Sequence, residues 1–271
     1  MLSEYSNCNV FFACMRIVTS TMRLQMKQSF ARNMFRFCLL VNPVLSTVLL
    51  YEMYQNSGEE NFTAYVILGA GLMAIWGCIC FSSAGDINRE RFDKTLALIF
   101  ASPAHFLLII IGKIVGNTLL SLVSLCMSML TARVLFGIHI KIESPRCFAV
   151  ALCVLIVTFV AVSLVIAALL TLSRKTELYM NMIEIPFILV CGFVYPIEIL
   201  PKGIQKISMI LAPTHAVELL RLAVWGVEDF SMFCNKVFVT LGLTGAYVVL
   251  SFFLYKRIDR RVRIKATLEV S

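Results

Sequence analysis

Charged residues are scarce in this sequence. Only 15% of its 271 residues are Asp, Glu, Lys or Arg, whereas 59% are hydrophobic and the mean hydropathy is +0.86. Soluble domains carry about 25% charged residues, so this composition excludes a soluble protein and predicts an integral membrane protein. A membrane-spanning helix needs about 20 residues to cross about 30 Å of hydrocarbon, which leaves room for six spans and little else. We therefore expect residues 1–271 to form a single, all-α transmembrane domain.

Metal-binding and processing patterns are also missing. The ten cysteines form no C-x-x-C pair and lie mostly within apolar runs, where a thiol behaves as a small hydrophobic group. The three histidines, His105, His139 and His215, are scattered over different segments. The amino terminus has neither the basic start nor the small-residue cleavage pattern of a removed signal peptide. These absences predict no metal site, no disulfide framework and no cleaved leader.

Signatures of nucleotide binding and catalysis are absent as well. The Gly112-Lys113 pair lacks the earlier glycine and the following Ser or Thr of the phosphate-binding loop G-x-x-x-x-G-K-[ST]. Neither G-x-S-x-G nor H-E-x-x-H occurs, which argues against an intramembrane enzyme of those types. We predict no catalytic residue and no cofactor on this chain, so that any energy from ATP has to arrive through another protein.

Long apolar runs predict six spans, which cover residues 37–54, 62–84, 105–136, 147–172, 178–197 and 232–255. Asn42-Pro43 interrupts the first span. Lys113 lies in the third, where its insertion cost of about 3 kcal/mol is outweighed by the apolar residues around it. We expect its ammonium group to snorkel to the cytoplasmic side. Gly112 and Gly116 form a G-x-x-x-G pattern on this span, which predicts close helix packing.

The distribution of Lys and Arg predicts the orientation. Sixteen of the 24 lie in the amino-terminal stretch, the 85–104 loop, the 173–177 loop and the carboxy-terminal tail, against five in the connections on the other side. Positively charged connections favour the cytoplasm. The pattern predicts a multi-pass protein of the cell membrane with both termini in the cytoplasm.

Residues 10–34 have the pattern of a basic amphipathic helix. On a helical wheel the apolar face consists of Met15, Val18, Met22 and Met26. The polar positions away from this face are Arg16, Ser20, Arg23 and Lys27. Such a helix is suited to lie along the cytoplasmic headgroups before the first span. The alternative is a frayed tail of mixed composition.

The densest charge cluster lies in "GDINRERFDKTLALIFASP", residues 85–103, between two long apolar runs. Its charged residues are Asp86, Arg89, Glu90, Arg91, Asp93 and Lys94. Leu96, Ile99 and Phe100 follow at i, i+3 and i+4, and Pro103 ends the turn. We interpret the segment as a short helix across the inner face of the membrane with its charges pointing outward. A surface turn that only fixes topology is the alternative.

Residues 187–226 are too polar and too broken by prolines for a clean span, yet too apolar for an open loop. The prolines are Pro196, Pro201 and Pro213. A helical hairpin that re-enters the outer leaflet, over residues 198–230, would satisfy both facts if protein covers its broken backbone. Within it, Glu218 and Arg221 stand at i and i+3, so we expect them to pair with each other.

Glu184 is the polar residue within a span that we single out. A carboxylate is costly in lipid and should face protein or a water-filled path. Pro186 frees a backbone carbonyl one turn earlier, and Asn181 lies three residues before Glu184 on the same face. The residues Asn181, Glu184 and Pro186 are therefore candidates either for the lining of a pathway or for a dimer interface.

The two motifs, in a six-span chain with a basic amphipathic start, resemble the type-2 permease subunits of ATP-binding-cassette (ABC) exporters. In that family the first motif reads G-x-I-x-x-E-R/K with a later S-P, and the second reads G-x-x-x-P, then L-P, P and R. The matching positions are Gly85, Ile87, Glu90, Arg91 and Ser102-Pro103, then Gly192, Pro196, Leu200-Pro201, Pro213 and Arg221. The resemblance covers nearly the whole chain.

This resemblance implies a mechanism and partners. Residues 85–103 would be a coupling helix seated on a separate ABC ATPase subunit, which would hold ATP and Mg. The implied coupling residues are Gly85, Asp86, Arg89, Glu90, Arg91, Phe92, Asp93 and Lys94. The implied outer gate consists of Gly192, Pro196, Pro201, Pro213, Glu218 and Arg221. Two permease chains, as a homodimer or a heterodimer in the lipid bilayer, would enclose the substrate path, and no nucleic acid is involved.

The alternative function is that of an ion-gradient-driven secondary transporter or an accessory membrane subunit. A secondary transporter would usually carry ionisable residues near the midplane of several spans and paired broken helices in its two halves. This sequence has one such carboxylate, Glu184, and one broken region. The pattern therefore favours the permease.

Overall fold

The computed structural model describes residues 2–55, 62–92, 105–138, 142–171, 176–227 and 229–265, and these residues are almost entirely α-helical, with no strand among them. The helices, in chain order, are α1 (Leu2–Ala31), α2 (Asn33–Arg36), α3 (Asn42–Tyr54), α4 (Phe62–Phe92), α5 (Phe106–Phe136), α6 (Pro145–Thr171), α7 (Thr176–Val190), α8 (Lys202–Ile210), α9 (Ala212–Trp225) and α10 (Phe230–Lys265). The all-α class is confirmed.

Four stretches of described helix are long and apolar enough to cross a membrane. They are Asn33–Tyr54, Phe106–Phe136, Pro145–Thr171 and Phe230–Ile258. A fifth exists if α8 and α9, which meet at a 90° bend, count as one broken span. The apolar parts of α4 and α7, Tyr65–Cys80 and Leu178–Val190, are shorter. A multi-pass protein is confirmed, whereas the predicted total of six spans is not reached by length and composition.

The fifth predicted span shows one physical reason why fewer than six spans are long enough. The prediction extended it to residue 197, but α7 has 15 residues and measures only about 22 Å. Gly192 follows its last turn with φ +66°, a left-handed conformation that favours glycine and ends the helix. Pro186, by contrast, stays inside α7.

The first span is not broken at Asn42-Pro43. One turn of π-helix, Phe37–Val41, precedes α3, and Pro43 lies in the first turn of α3. Within this continuous helix, Pro43 cannot donate a hydrogen bond to the preceding turn, and its ring crowds that turn. The wider π turn keeps the chain helical through the position that the sequence analysis read as an interruption.

The largest core cluster surrounds Trp76 of α4, which is fully buried. Its indole stacks on Phe187 of α7, with ring centroids 4.1 Å apart and planes inclined by 10°. Phe159 of α6 and Phe193 meet it edge-on, at 5.6 Å and 6.3 Å. Stacked and edge-on ring pairs add about 0.5–1.5 kcal/mol each beyond their buried area. This cluster fixes α4 against α6 and α7.

The G-x-x-x-G of α5 packs closely, as predicted, and its partner is the amino-terminal helix α1. A Cβ atom at Gly112 would lie 2.8 Å from the carbonyl oxygen of Val18, and one at Gly116 would lie 2.9 Å from that of Met22. Such distances leave no room for a side chain. Val18 and Met22 of the predicted apolar face thus lie against α5, whereas Met15 is 51% exposed. An interfacial position of residues 10–34 stays a prediction.

Replacing Gly116 should separate α1 from α5. We expect Gly116→Ala to be destabilised by about 1–3 kcal/mol relative to Gly245→Ala, because overpacking costs that much. Gly245 lies in α10, where an added Cβ would have nothing within 4 Å. Both variants gain the same helix propensity, so their difference isolates the packing. Unfolding of the detergent-solubilised proteins measures it, and equal stabilities of the two variants would contradict the close approach.

Candidate coupling site

The charged motif begins within α4 and not in a separate helix. Residues 85–92 continue α4 without a break, which corrects the prediction of a short helix beginning at Gly85. With 31 residues, α4 is about 46 Å long, or about 16 Å longer than a bilayer core is thick. Its charged end therefore extends past the apolar part as the same rigid helix. Residues 93–104, with Asp93, Lys94 and the predicted Leu96, Ile99 and Phe100, lie outside the described residues, as do the side chains of Arg91 and Phe92.

Asp86 is the centre of a buried polar cluster at this end of α4. Asp86 is only 9% exposed. One carboxylate oxygen, Oδ1, forms an ion pair with Nη1 of Arg32 at 2.8 Å. The other, Oδ2, accepts hydrogen bonds from Nε2 of Gln25 at 2.6 Å and from Nδ2 of Asn117 at 3.2 Å. A buried carboxylate needs such partners because its desolvation costs several kcal/mol.

Ser29 closes the cluster on the side of α1. Its hydroxyl donates to Oδ1 of Asn117 at 2.6 Å and accepts from Nε2 of Gln25 at 2.9 Å and from Nη2 of Arg32 at 2.7 Å. The hydroxyl thereby uses its one donor and both acceptor positions. Gln25, Ser29 and Asn117 are at most 2% exposed. The cluster consequently joins three parts of the fold: α1 with the following Arg32, the end of α4, and α5.

A second ion pair lies one turn further along α4. Glu90 pairs with Lys113 of α5, and their side chains are 10% and 16% exposed. The structure gives the ammonium of Lys113 a carboxylate partner within the protein; its expected position near the cytoplasmic side of the membrane stays a prediction. This pairing lowers the cost of a cation in an apolar helix.

The predicted coupling residues therefore divide into two groups. Asp86 and Glu90, at i and i+4, share one face of α4 and are directed into the protein, which corrects the expectation that all six charges point outward. Arg89 is exposed. The sequence analysis missed Gln25, Ser29, Arg32 and Asn117 as partners. Their signal was polar spacing, since Gln25 and Ser29 repeat at i and i+4 and continue the face of Val18 and Met22, and Asn117 follows Lys113 by four residues.

Glu184 lies in α7 and faces α4. A Cβ atom at Gly77 would be 3.1 Å from its Oε1 atom, so the carboxylate fills the space that the glycine leaves. Glu184 is half-buried, and Pro186 is exposed. The side chain of Asn181 lies outside the described residues, so its pairing with Glu184 stays a prediction. Their role in a pathway or a dimer interface stays a prediction as well.

At the opposite end of α4, Arg221 of α9 is 5% exposed. Its Nη2 donates to the carbonyl oxygens of Gly192 and Phe193, both at 2.8 Å. Its guanidinium lies 4.4 Å from the ring centroid of Tyr65, in the first turns of α4. The carbonyls after a helix end have no partner within the helix and attract cations. Arg221 thus connects α9 to the chain leaving α7 and to α4.

The prediction that Glu218 pairs with Arg221 is wrong. Glu218 forms its ion pair with Lys236 of α10, while Arg221 turns to the carbonyls beyond α7. Two residues at i and i+3 can face different neighbours, and here the carbonyls and a lysine of another helix are the closer partners.

The three prolines of the outer motif lie at the starts of helical turns. Pro196 precedes the short helical turn Ile197–Ile199, Pro201 precedes α8, and Pro213 is buried in the first turn of α9. Proline suits these positions because of its fixed φ and missing donor. The 90° bend between α8 and α9 and the bond from the Ser208 hydroxyl to the carbonyl oxygen of Val190, 2.6 Å, shape the hairpin. Its re-entry into a membrane stays a prediction.

The described residues thus form a multi-pass, helical membrane protein in which α4 makes polar contacts at both of its ends. Residues 16–225 match the sequence model of the family described as ABC-2 type transporter. The chain belongs to this family, in agreement with the resemblance drawn from its two motifs. It is also similar to Nodulation protein J of Neorhizobium galegae, with 30% identity over 105 residues. That stretch is 38% of this chain and 37% of the relative, so it spans well under two thirds of either protein.

The Asp86–Arg32 pair should show strong coupling in a double-mutant cycle. Asp86→Ala leaves a partly buried guanidinium without its carboxylate, and we expect each single variant to lose about 2–3 kcal/mol of unfolding free energy. The double variant Asp86→Ala with Arg32→Ala should lose less than the sum, by about 1 kcal/mol or more. Unfolding in mixed detergent micelles measures the cycle. Strictly additive losses would contradict the ion pair.

Arg221 should stabilise the outer end of the molecule. Arg221→Met keeps the aliphatic volume but leaves two carbonyls unpaired. Each unpaired buried group should lower the free energy of unfolding by about 1–3 kcal/mol. Arg133→Met, at an exposed position in the last turn of α5, is the matched control and should change stability by less than about 0.5 kcal/mol. Thermal unfolding compares the two, and similar losses in both would rule out a stabilising role.

Proposed function

We propose that this chain is the transmembrane permease subunit of an ABC exporter, coupled to a separate ATPase subunit. Membership of the ABC-2 type transporter family over residues 16–225 carries the proposal. The sequence has no phosphate-binding loop of the G-x-x-x-x-G-K-[ST] form, which supports a division of labour in which a partner chain binds ATP and Mg. Two such permeases, identical or different, would enclose the substrate path with both termini in the cytoplasm.

The uninterrupted course of α4 supports a mechanism for coupling. A force on the charged end is transmitted along a helix that is hydrogen-bonded throughout and packed on α6 and α7 around Trp76. The other end of α4 contacts Arg221 through Tyr65. A displacement by the ATPase would thus reach the α8–α9 hairpin, which we propose as the outer gate together with Gly192, Pro196, Pro201, Pro213, Glu218 and Arg221.

The surface for the ATPase would be the exposed part of the 85–103 segment. Asp86 and Glu90 are engaged within the chain, so they would support the segment and would not meet the partner directly. Arg89 is exposed, and with Arg91, Phe92, Asp93 and Lys94 it is our proposed contact. Charges at such a contact set specificity and association rate more than affinity.

Charge reversal tests this contact. In co-expression with the ATPase encoded nearest to its gene, Arg89→Glu combined with Arg91→Glu should weaken co-purification roughly tenfold, equivalent to about 1.4 kcal/mol. Arg257→Glu combined with Arg260→Glu, at exposed positions of α10, changes the net charge equally and should leave the complex intact. Quantified pull-down of the ATPase gives the readout.

Two outcomes would contradict the proposal. One is ATP hydrolysis by the isolated chain at the rate of the complex, since the division of labour would then be absent. The other is labelling of Arg89→Cys by a membrane-impermeant thiol reagent added outside intact cells. The charged end of α4 would then lie on the wrong side for a cytoplasmic ATPase.

A further inference from the structure

The amino-terminal helix α1 is attached to the rest of the fold in two different ways. Its middle packs along α5, where Gly112 and Gly116 allow the backbones of Val18 and Met22 to approach. Towards α4, in contrast, the connection consists of long polar side chains. Gln25 and the adjoining Arg32 both reach the single carboxylate of Asp86.

We propose that Asp86 is a positioning residue that makes α1 follow the charged end of α4, so that an ATPase acting on the 85–103 segment also moves the amino-terminal helix. This inference rests on the proposed function. Asp86 would act through Arg32 and Gln25 and would itself touch neither ATP nor substrate.

The chemistry of the cluster supports coupled movement. Apolar burial has no preferred direction. The contacts of the Asp86 carboxylate are directional, since its buried charge requires the ion pair at 2.8 Å and the hydrogen bond at 2.6 Å to stay within bonding distance. When α4 moves, Arg32 and Gln25 have to move with it or leave a buried charge unpaired.

The attachment to α4 lies at the carboxy-terminal end of α1. The backbone contact with α5 lies at Val18 and Met22, and the contacts with Asp86 come from Gln25 and from Arg32, which directly follows α1. Met22 and Arg32 are ten residues apart, about 15 Å at helical rise. Between them, Ser29 donates to Asn117 of α5 at 2.6 Å. A displacement applied through Asp86 therefore acts on the end of α1 and on the polar cluster that links this end to α5.

Hydrogen–deuterium exchange tests the inference in the intact complex. The permease and its ATPase are co-purified in lipid nanodiscs, and exchange of peptides covering residues 12–31 and 85–92 is followed by mass spectrometry with and without MgATP plus vanadate. In the wild-type complex we expect nucleotide to change the exchange rates of both segments by about twofold or more, since opening free energies set these rates.

Two conservative variants separate positioning from mere support. Asp86→Asn keeps the acceptor for Gln25 but loses the charge that holds Arg32, and Arg32→Gln removes the cation from a side chain that is 18% exposed. In each, residues 85–92 should still respond to nucleotide, whereas residues 12–31 should lose the response. Asp86→Glu restores the charge and should restore the response of residues 12–31. Arg133→Gln, exposed in the last turn of α5, should behave as wild type.

The outcomes distinguish this inference from the function on which it rests. If the ATPase fails to co-purify with the wild-type chain, the proposed function is overturned and the inference with it. If residues 85–92 respond to nucleotide while residues 12–31 do not, the proposed function stands and the inference is overturned. A response of residues 12–31 that persists in both Asp86→Asn and Arg32→Gln also overturns it, and a defect in one variant that fails to fold leaves the other to decide.

Discussion

A buried carboxylate that must stay paired is the constraint on which the charged end of this molecule depends. Asp86 is 9% exposed and binds groups from two other parts of the chain. Removing such a charge from water is costly unless an opposite charge and hydrogen bonds replace the lost hydration. The positions of α1, α4 and α5 at this end follow from that requirement together with the close approach at Gly112 and Gly116.

The other end of α4 obeys the same rule with the opposite sign. Arg221, 5% exposed, is held by two carbonyl oxygens and the face of Tyr65. Between the two ends, Trp76 and its ring partners fix the middle of α4 in an apolar core. One helix is thus bound by polar contacts at its ends and by packing at its centre, as the proposed transmission of movement along α4 requires.

The sequence analysis recovered what depends on composition and local pattern. The all-α class, the family, the close packing at Gly112 and Gly116 and the bounds of α5 within one residue all follow from apolar run lengths, short motifs and small-residue spacing. The partners of Asp86, Glu218 and Lys113 could not be predicted from the sequence. Each partner lies in another part of the chain, and only the tertiary arrangement brings it close. The predicted extension of the fifth span to residue 197 was wrong, because Gly192 ends α7 early and hydropathy carries no information about backbone dihedral angles.

The continuity of α4 has a consequence for its permitted length. Trp76 and Asp86 are ten residues apart on one helix, and each is engaged by neighbours that cannot shift independently. Inserting or deleting a single residue between them would rotate the carboxylate by about 100° around the helix axis and shift it by about 1.5 Å. The acid would then point away from Arg32 even though every side chain was preserved. We therefore expect this stretch to accept substitutions more readily than a change of length, which the connections outside it can absorb.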